Sequence, residues 1–147
     1  MRHKRTALAV YSVMLLAGGF AAGSLTTRAT VLHAQPASRV FEIRTYTAPE
    51  GKLGELHTRF RDHTTRIFQK HGMTNIGYWM PVDEPMSKNT LIYILAHPSR
   101  EAAKQSWAAF VADPEWKKVS AESQVNGRIV EKVDSIFATP TDYSPIK

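Results

Sequence analysis

The strongest constraint on this chain is the order in which hydrophobic periodicity changes along residues 40–137. Val40 to Thr47 (VFEIRTYT) alternates, with Phe41, Ile43 and Thr45 on one side and Glu42, Arg44 and Tyr46 on the other. That is the pattern of a half-buried strand. After Pro49 and Gly51 the spacing becomes helical: Leu53, Leu56, Phe60 and Ile67 fall on one stripe of a helix running to about His71. Glu55 with Arg59, and Asp62 with Arg66, are spaced as i,i+4 ion pairs on its outer face. Gly72 is placed as a left-handed cap. Met73 to Met80 predicts a second strand, residues 81 to 88 (PVDEPMSK) a turn, and Thr90 to His97 (TLIYILAH) a central third strand.

The second half repeats the alternation. Ser99 is a good N-cap with Glu101 behind it, and Ala103, Trp107 and Phe110 mark the buried stripe of a helix. Asp113-Pro114-Glu115 is a second start signal, so the helix is expected to break there, with Trp116 and Val119 inward and Asn126-Gly127 closing it. Arg128 to Phe137 predicts a last strand, and residues 139 to 147 (TPTDYSPIK) an extended surface tail. The resulting β-α-β-β-α-β order is the ferredoxin-like split unit of the α+β class. It implies a four-stranded antiparallel sheet with both helices on one face. Its open face would carry apolar side chains, the mark of an association surface. A homodimer, with two sheets closing into one α+β barrel, is the expected solution.

Residues 1–34 have a different character. Arg2, Lys4 and Arg5 precede the apolar run Thr6 to Leu16, which continues weakly to Leu25; Leu32-His33-Ala34-Gln35 follows as a peptidase site. This is the anatomy of a signal peptide, so the chain is expected to be exported, periplasmic or secreted, with a short linker at 35–39 and the domain at 40–147. An uncleaved membrane anchor is the alternative, since a span needs about 20 residues. Removing the leader takes four of the 19 basic residues and no acids, leaving 15 Lys and Arg against 13 Asp and Glu. The high pI therefore does not indicate nucleic acid. There is no cysteine, so no disulfide supports the fold.

The stretches FEIRTY (41–46), GKLGELHTRFRDHT (51–64), HGMTNIGYW (71–79), NTLIYILAH (89–97), SREAAKQSWAAFVADPEW (99–116) and PTDYSP (140–145) resemble the NIPSNAP family, above all its exported bacterial members. The resemblance implies a dimeric α+β barrel and no settled reaction.

Candidate site residues are set by face and chemistry. Arg44 and Tyr46 share a strand face with Glu42 and could hold a small anion if that face lines the barrel; a salt bridge to Glu42 or a partner acid is the structural alternative. His63 falls on or beside the first helix's apolar stripe, as a core histidine or a pocket acid, base or ligand. Tyr93 and His97 share a face of the third strand. Of Tyr78 and Trp79, one at most can face the barrel. His57, His63 and His71 make no i,i+4 pair, so no zinc face is expected. No P-loop, GxSxG or dinucleotide motif occurs in residues 35–147. Two functions remain: a barrel that binds a small ligand or partner, or a small-molecule enzyme of the dimeric-barrel type, such as a cofactor-free monooxygenase or isomerase. No cofactor is expected; haem is the alternative and would need a histidine aimed into the cavity.

Overall fold

The computed structural model describes residues 39–147. The expected leader at 1–34, and linker residues 35–38, lie outside the described residues. Strand β1 (Val40–Thr47) leads into helix α1 (Leu53–Arg59), a π-turn (Phe60–Thr64) and helix α2 (Thr65–Lys70). Then come β2 (Thr74–Trp79), a 3-10 turn (Met86–Lys88), β3 (Thr90–His97), α3 (Arg100–Ala112), α4 (Pro114–Glu122) and β4 (Lys132–Ala138). The sheet order is β2-β3-β1-β4, antiparallel throughout. This is the ferredoxin-like order the sequence predicts. Among the described residues no helix is long and apolar enough to cross a membrane.

The punctuation works as its chemistry dictates. Ser99 Oγ accepts from the N–H of Ala102 at 3.0 Å, and Asp113 Oδ1 from that of Glu115 at 2.8 Å, capping α3 and α4. Gly72 ends α2 with φ 76°, while the N–H of Met73 returns to the carbonyl of Phe68 at 3.0 Å. Between sheet and helices lies the core, built on Leu56, Ile67, Phe68, Met73, Leu91 and Leu95. β4 starts later than the alternation predicts. Ile129 is drawn fully into the core, which breaks the strand pattern over 128–131. Pairing resumes when Glu131 N–H donates to the Thr47 carbonyl at 2.8 Å.

The first helix also departs from simple periodicity. The N–H of Thr65 bonds to the carbonyl of Phe60, and Thr64 Oγ1 donates to that of Arg59 at 3.1 Å. This π-turn adds a residue and re-phases α2 relative to α1. Thr64 is buried where His63 was expected, and His63 is exposed. Nor do the expected i,i+4 pairs form. Glu55 takes Lys52 at 2.7 Å, Arg66 pairs with Glu115 of α4, and Arg59 turns inward.

The open face carries Ile43 opposite Ile94 on one side and Ile136 on the other. Ile136 is 62% exposed and Trp79 49%. The tail is not extended. It turns, with Ser144 N–H donating to the Thr141 carbonyl at 3.1 Å, and Arg39 Nε donates to the Lys147 carbonyl at 2.8 Å. Ile146 thereby caps a hollow of about 200 Å³ over Phe41, Ile43, Ile76 and Ile94. That shields one end of the open face and leaves Ile136 and Trp79 wet.

Candidate polar site between sheet and helices

Glu42, Arg44 and Tyr46 point to the helix-covered face, opposite to the one that would line a barrel shared by two copies. The partners that face them across the ladder, Leu95, Tyr93 and Leu91, are all fully buried in the core. The condition on which Arg44 and Tyr46 would line a shared barrel is therefore not met, and the salt bridge from Arg44 to Glu42, the structural alternative, forms. Their site lies within one chain. Phe41, Ile43 and Ile94 take the open face instead.

The centre of the site is the Glu42 carboxylate, 2% exposed. Oε1 accepts from Arg44 Nη1 at 2.6 Å and Ser135 Oγ at 2.7 Å; Oε2 accepts from Trp107 Nε1 at 2.6 Å and His97 Nε2 at 3.2 Å. Burial alone would raise its pKa, but the bonds from His97, Trp107, Ser135 and Arg44 outweigh it and hold the carboxyl at about 2. Glu42 is thus ionised at neutral pH with both oxygens taken, and a carboxylate that can only accept sets His97 Nε2 as the donor. A hollow of about 400 Å³ beside Arg100, Lys104 and Phe137 reaches this group from the α3–β4 side.

Arg44 extends the network. Its Nη2 donates to Tyr46 OH at 3.3 Å, and the guanidinium lies 4.3 Å from the Trp107 ring centroid. Burial would lower its pKa; Tyr93, Tyr46 and Glu42 more than offset this and raise it. The Tyr93 ring, fully buried, is 5.3 Å from that of Tyr46 and 5.1 Å from that of Phe60. Burial pushes its phenol well above the ordinary value, so the hydroxyl stays neutral. Tyr78, whose hydroxyl donates to Asn75 Oδ1 at 2.6 Å, is likewise raised by burial. It faces the helices while Trp79 opposes Ile92 across the ladder.

Arg59 closes the group, and the sequence reading missed it. It is 5% exposed, its Nη1 reaches only Ser123 Oγ at 3.5 Å, and its guanidinium lies 5.2 Å from the Trp116 ring centroid. Burial lowers its pKa, with the oxygens of Tyr46 and Tyr93 pulling the other way. A signal was available: Arg59 stands three residues after Leu56, on the apolar stripe. Three donors here have no partner among the described residues: Arg44 Nε, Arg59 Nε and the Tyr93 hydroxyl. His97 Nδ1 is also buried without one.

Of the five expected site residues, four share this face: Arg44, Tyr46, Tyr93 and His97. His63 does not join them. It lines an outer groove of about 500 Å³ between α1 and α4, whose wall includes Arg59. A larger groove, about 670 Å³, lies elsewhere, beside Tyr78 and Trp79. It holds His57, whose pKa is lowered by burial and by Arg61. His71 serves structure, meeting Asp113 at 2.6 Å. No cluster of three metal-ligating side chains occurs among the described residues.

Sheet order, helix placement and the intrasubunit site define a ferredoxin-like α+β protein of the dimeric-barrel fold class. The NIPSNAP family model matches residues 41–145, and the chain belongs to the NIPSNAP family. Solved structures agree. A NIPSNAP family protein of unknown function from Agrobacterium tumefaciens is 22% identical, covers 77% of this chain and 97% of its own, and superposes with a TM-score of 0.66. A NIPSNAP-like domain protein from Burkholderia xenovorans is 18% identical over 74% of this chain and 90% of its own, with a TM-score of 0.64. SnoaB, a cofactor-independent oxygenase from Streptomyces nogalater, shares the fold at 14% identity and a TM-score of 0.50, covering 74% and 99%. No curated protein matches the chain.

Proposed function

We propose that the protein is an exported homodimer that binds a small ligand in each subunit, in the polar site between sheet and helices. One observation carries the reading: Arg44, Arg59 and Tyr93 each hold a buried donor with no acceptor among the described residues. Such orphans are uncommon and demand an explanation. A ligand oxygen would supply it. The site offers positive charge and neutral hydroxyl donors, while its one carboxylate is fully occupied. That chemistry suits binding and polarising an oxygen. Turnover of the bound molecule is the second reading, favoured by the same donors, which could stabilise a developing oxyanion.

Native mass spectrometry of the protein purified from its host is expected to show a retained small molecule. Tyr93→Phe should weaken its binding about three- to tenfold without loss of stability, because it removes an unpaired hydroxyl. A molecule held equally by this variant, or none at all, contradicts the proposal.

Dimerisation is supported by Ile136 and Trp79, which the open face leaves exposed. Sedimentation at micromolar concentration should give a dimer, and Ile136→Asp a folded monomer. A monomeric wild type would overturn the association.

A further inference from the structure

We infer that Arg59 is an anion-recognition residue and that the ligand is a small organic monoanion, a carboxylate on an apolar body, entering by the α1–α4 groove. The inference rests on the ligand-binding reading and adds the ligand's class and its path.

Charge bookkeeping inside the site is the first argument. Glu42 neutralises Arg44 at 2.6 Å. Arg59 is more deeply buried than Arg44, yet no carboxylate pairs with it among the described residues. Its single acceptor is a neutral hydroxyl at 3.5 Å, and that hydroxyl donates its own hydrogen to the Ser120 carbonyl at 3.1 Å. A buried charge is normally paired. Here one positive charge is left over, which one negative charge would cancel. The groove wall also holds two acids, each with a lysine beside it: Glu55 with Lys52 at 2.7 Å and Glu122 with Lys118 at 3.9 Å.

Shape is the second argument. The groove of about 500 Å³ has Arg59 and Ser123 in its wall, and Val119 and Val125 beside them. Val125 is 77% exposed, an apolar side chain left wet within reach of a buried cation. Polar head against Arg59 and Ser123, apolar body against the valines, is the complementary arrangement. A guanidinium fork matches a carboxylate's two oxygens. The single uncompensated charge favours a monoanion over a phosphate dianion.

Calorimetric titration of the purified protein with benzoate and with benzamide, its neutral analogue, tests this. Benzoate is expected to bind at least about tenfold more tightly. That preference should vanish in Arg59→Met and survive in weakened form in Arg59→Lys. Without ligand, Arg59→Met should melt higher than wild type, by roughly 4 °C or more, since an apolar side chain replaces an unpaired buried charge. A purely structural arginine would give a lower melting temperature. Equal affinity for the two probes, or a benzoate preference that persists in Arg59→Met, overturns the assignment. So does a retained host molecule that is neutral, and that result would leave the ligand-binding reading intact. Failure of the wild type to bind either probe overturns the carboxylate class; failure also to retain any host molecule overturns both.

Discussion

Glu42→Gln is expected to destabilise the fold by about 3–5 kcal/mol, lowering the melting temperature by more than roughly 12 °C. The carboxylate receives four hydrogen bonds, from Arg44, Ser135, Trp107 and His97. A glutamine amide has one oxygen, so its NH₂ group would oppose donors. It also leaves the largely buried Arg44 without its counter-charge. The same residue sets the acid limb of stability. Its folded pKa, about 2, lies below its ordinary 4.5, so as pH falls the unfolded chain takes up the proton first. The stabilisation is complete above about pH 4.5 and is lost as pH falls through 2, amounting to about 3 kcal/mol for a shift of this size. Asp113, also lowered by Lys70 and His71, contributes in the same direction. Comparing urea midpoints of wild type and Glu42→Gln across pH 2–6 isolates the Glu42 share. The gap between them should shrink as the pH falls; a constant gap would mean that Glu42 is not ionised in the fold.

Phe68→Ala should cost about 3–5 kcal/mol. Its ring is 1% exposed and meets Phe110 at 4.9 Å, Trp107 at 5.4 Å, Tyr93 at 5.9 Å and Phe60 at 6.1 Å, centroid to centroid. Truncation would remove the contact that joins α2 and α3 over the sheet, and would open a cavity beside Tyr93. Phe68→Leu, which keeps most of the volume, should lose less than about 1.5 kcal/mol. Denaturant unfolding of both variants checks the pair. Equal losses would mean that the ring's shape, and not the volume it fills, decides stability there.

How far the sequence discloses this molecule depends on which physical effect decides each element. β1 and β3 have the expected bounds because period-two alternation and a continuous apolar run are local signals. Ser99, Asp113 and Gly72 do their expected work because capping is also local. The π-turn is different. Nothing in FRDHT announces an extra residue, and the shift it causes sends His63 outward and buries Thr64. β4 was blurred because Ile129 serves the core rather than the strand. Alternation puts Arg44 and Tyr46 on one face with Glu42, as the fold does, but it gives two faces without saying which one the helices cover. Arg59 was hidden by a plausible outer pairing with Glu55. Its true setting depends on Ser123 and Trp116, far along the chain, and only the folded structure brings them together.

The most direct test of the ligand site is chemical-shift mapping on isotopically labelled protein, following arginine Nε–H and tyrosine ring signals as benzoate is added. The intrasubunit site predicts that the largest changes fall on Arg44, Arg59, Tyr46 and Tyr93. Changes concentrated instead on Ile43, Ile94 and Ile136 would put the ligand on the open face and contradict it.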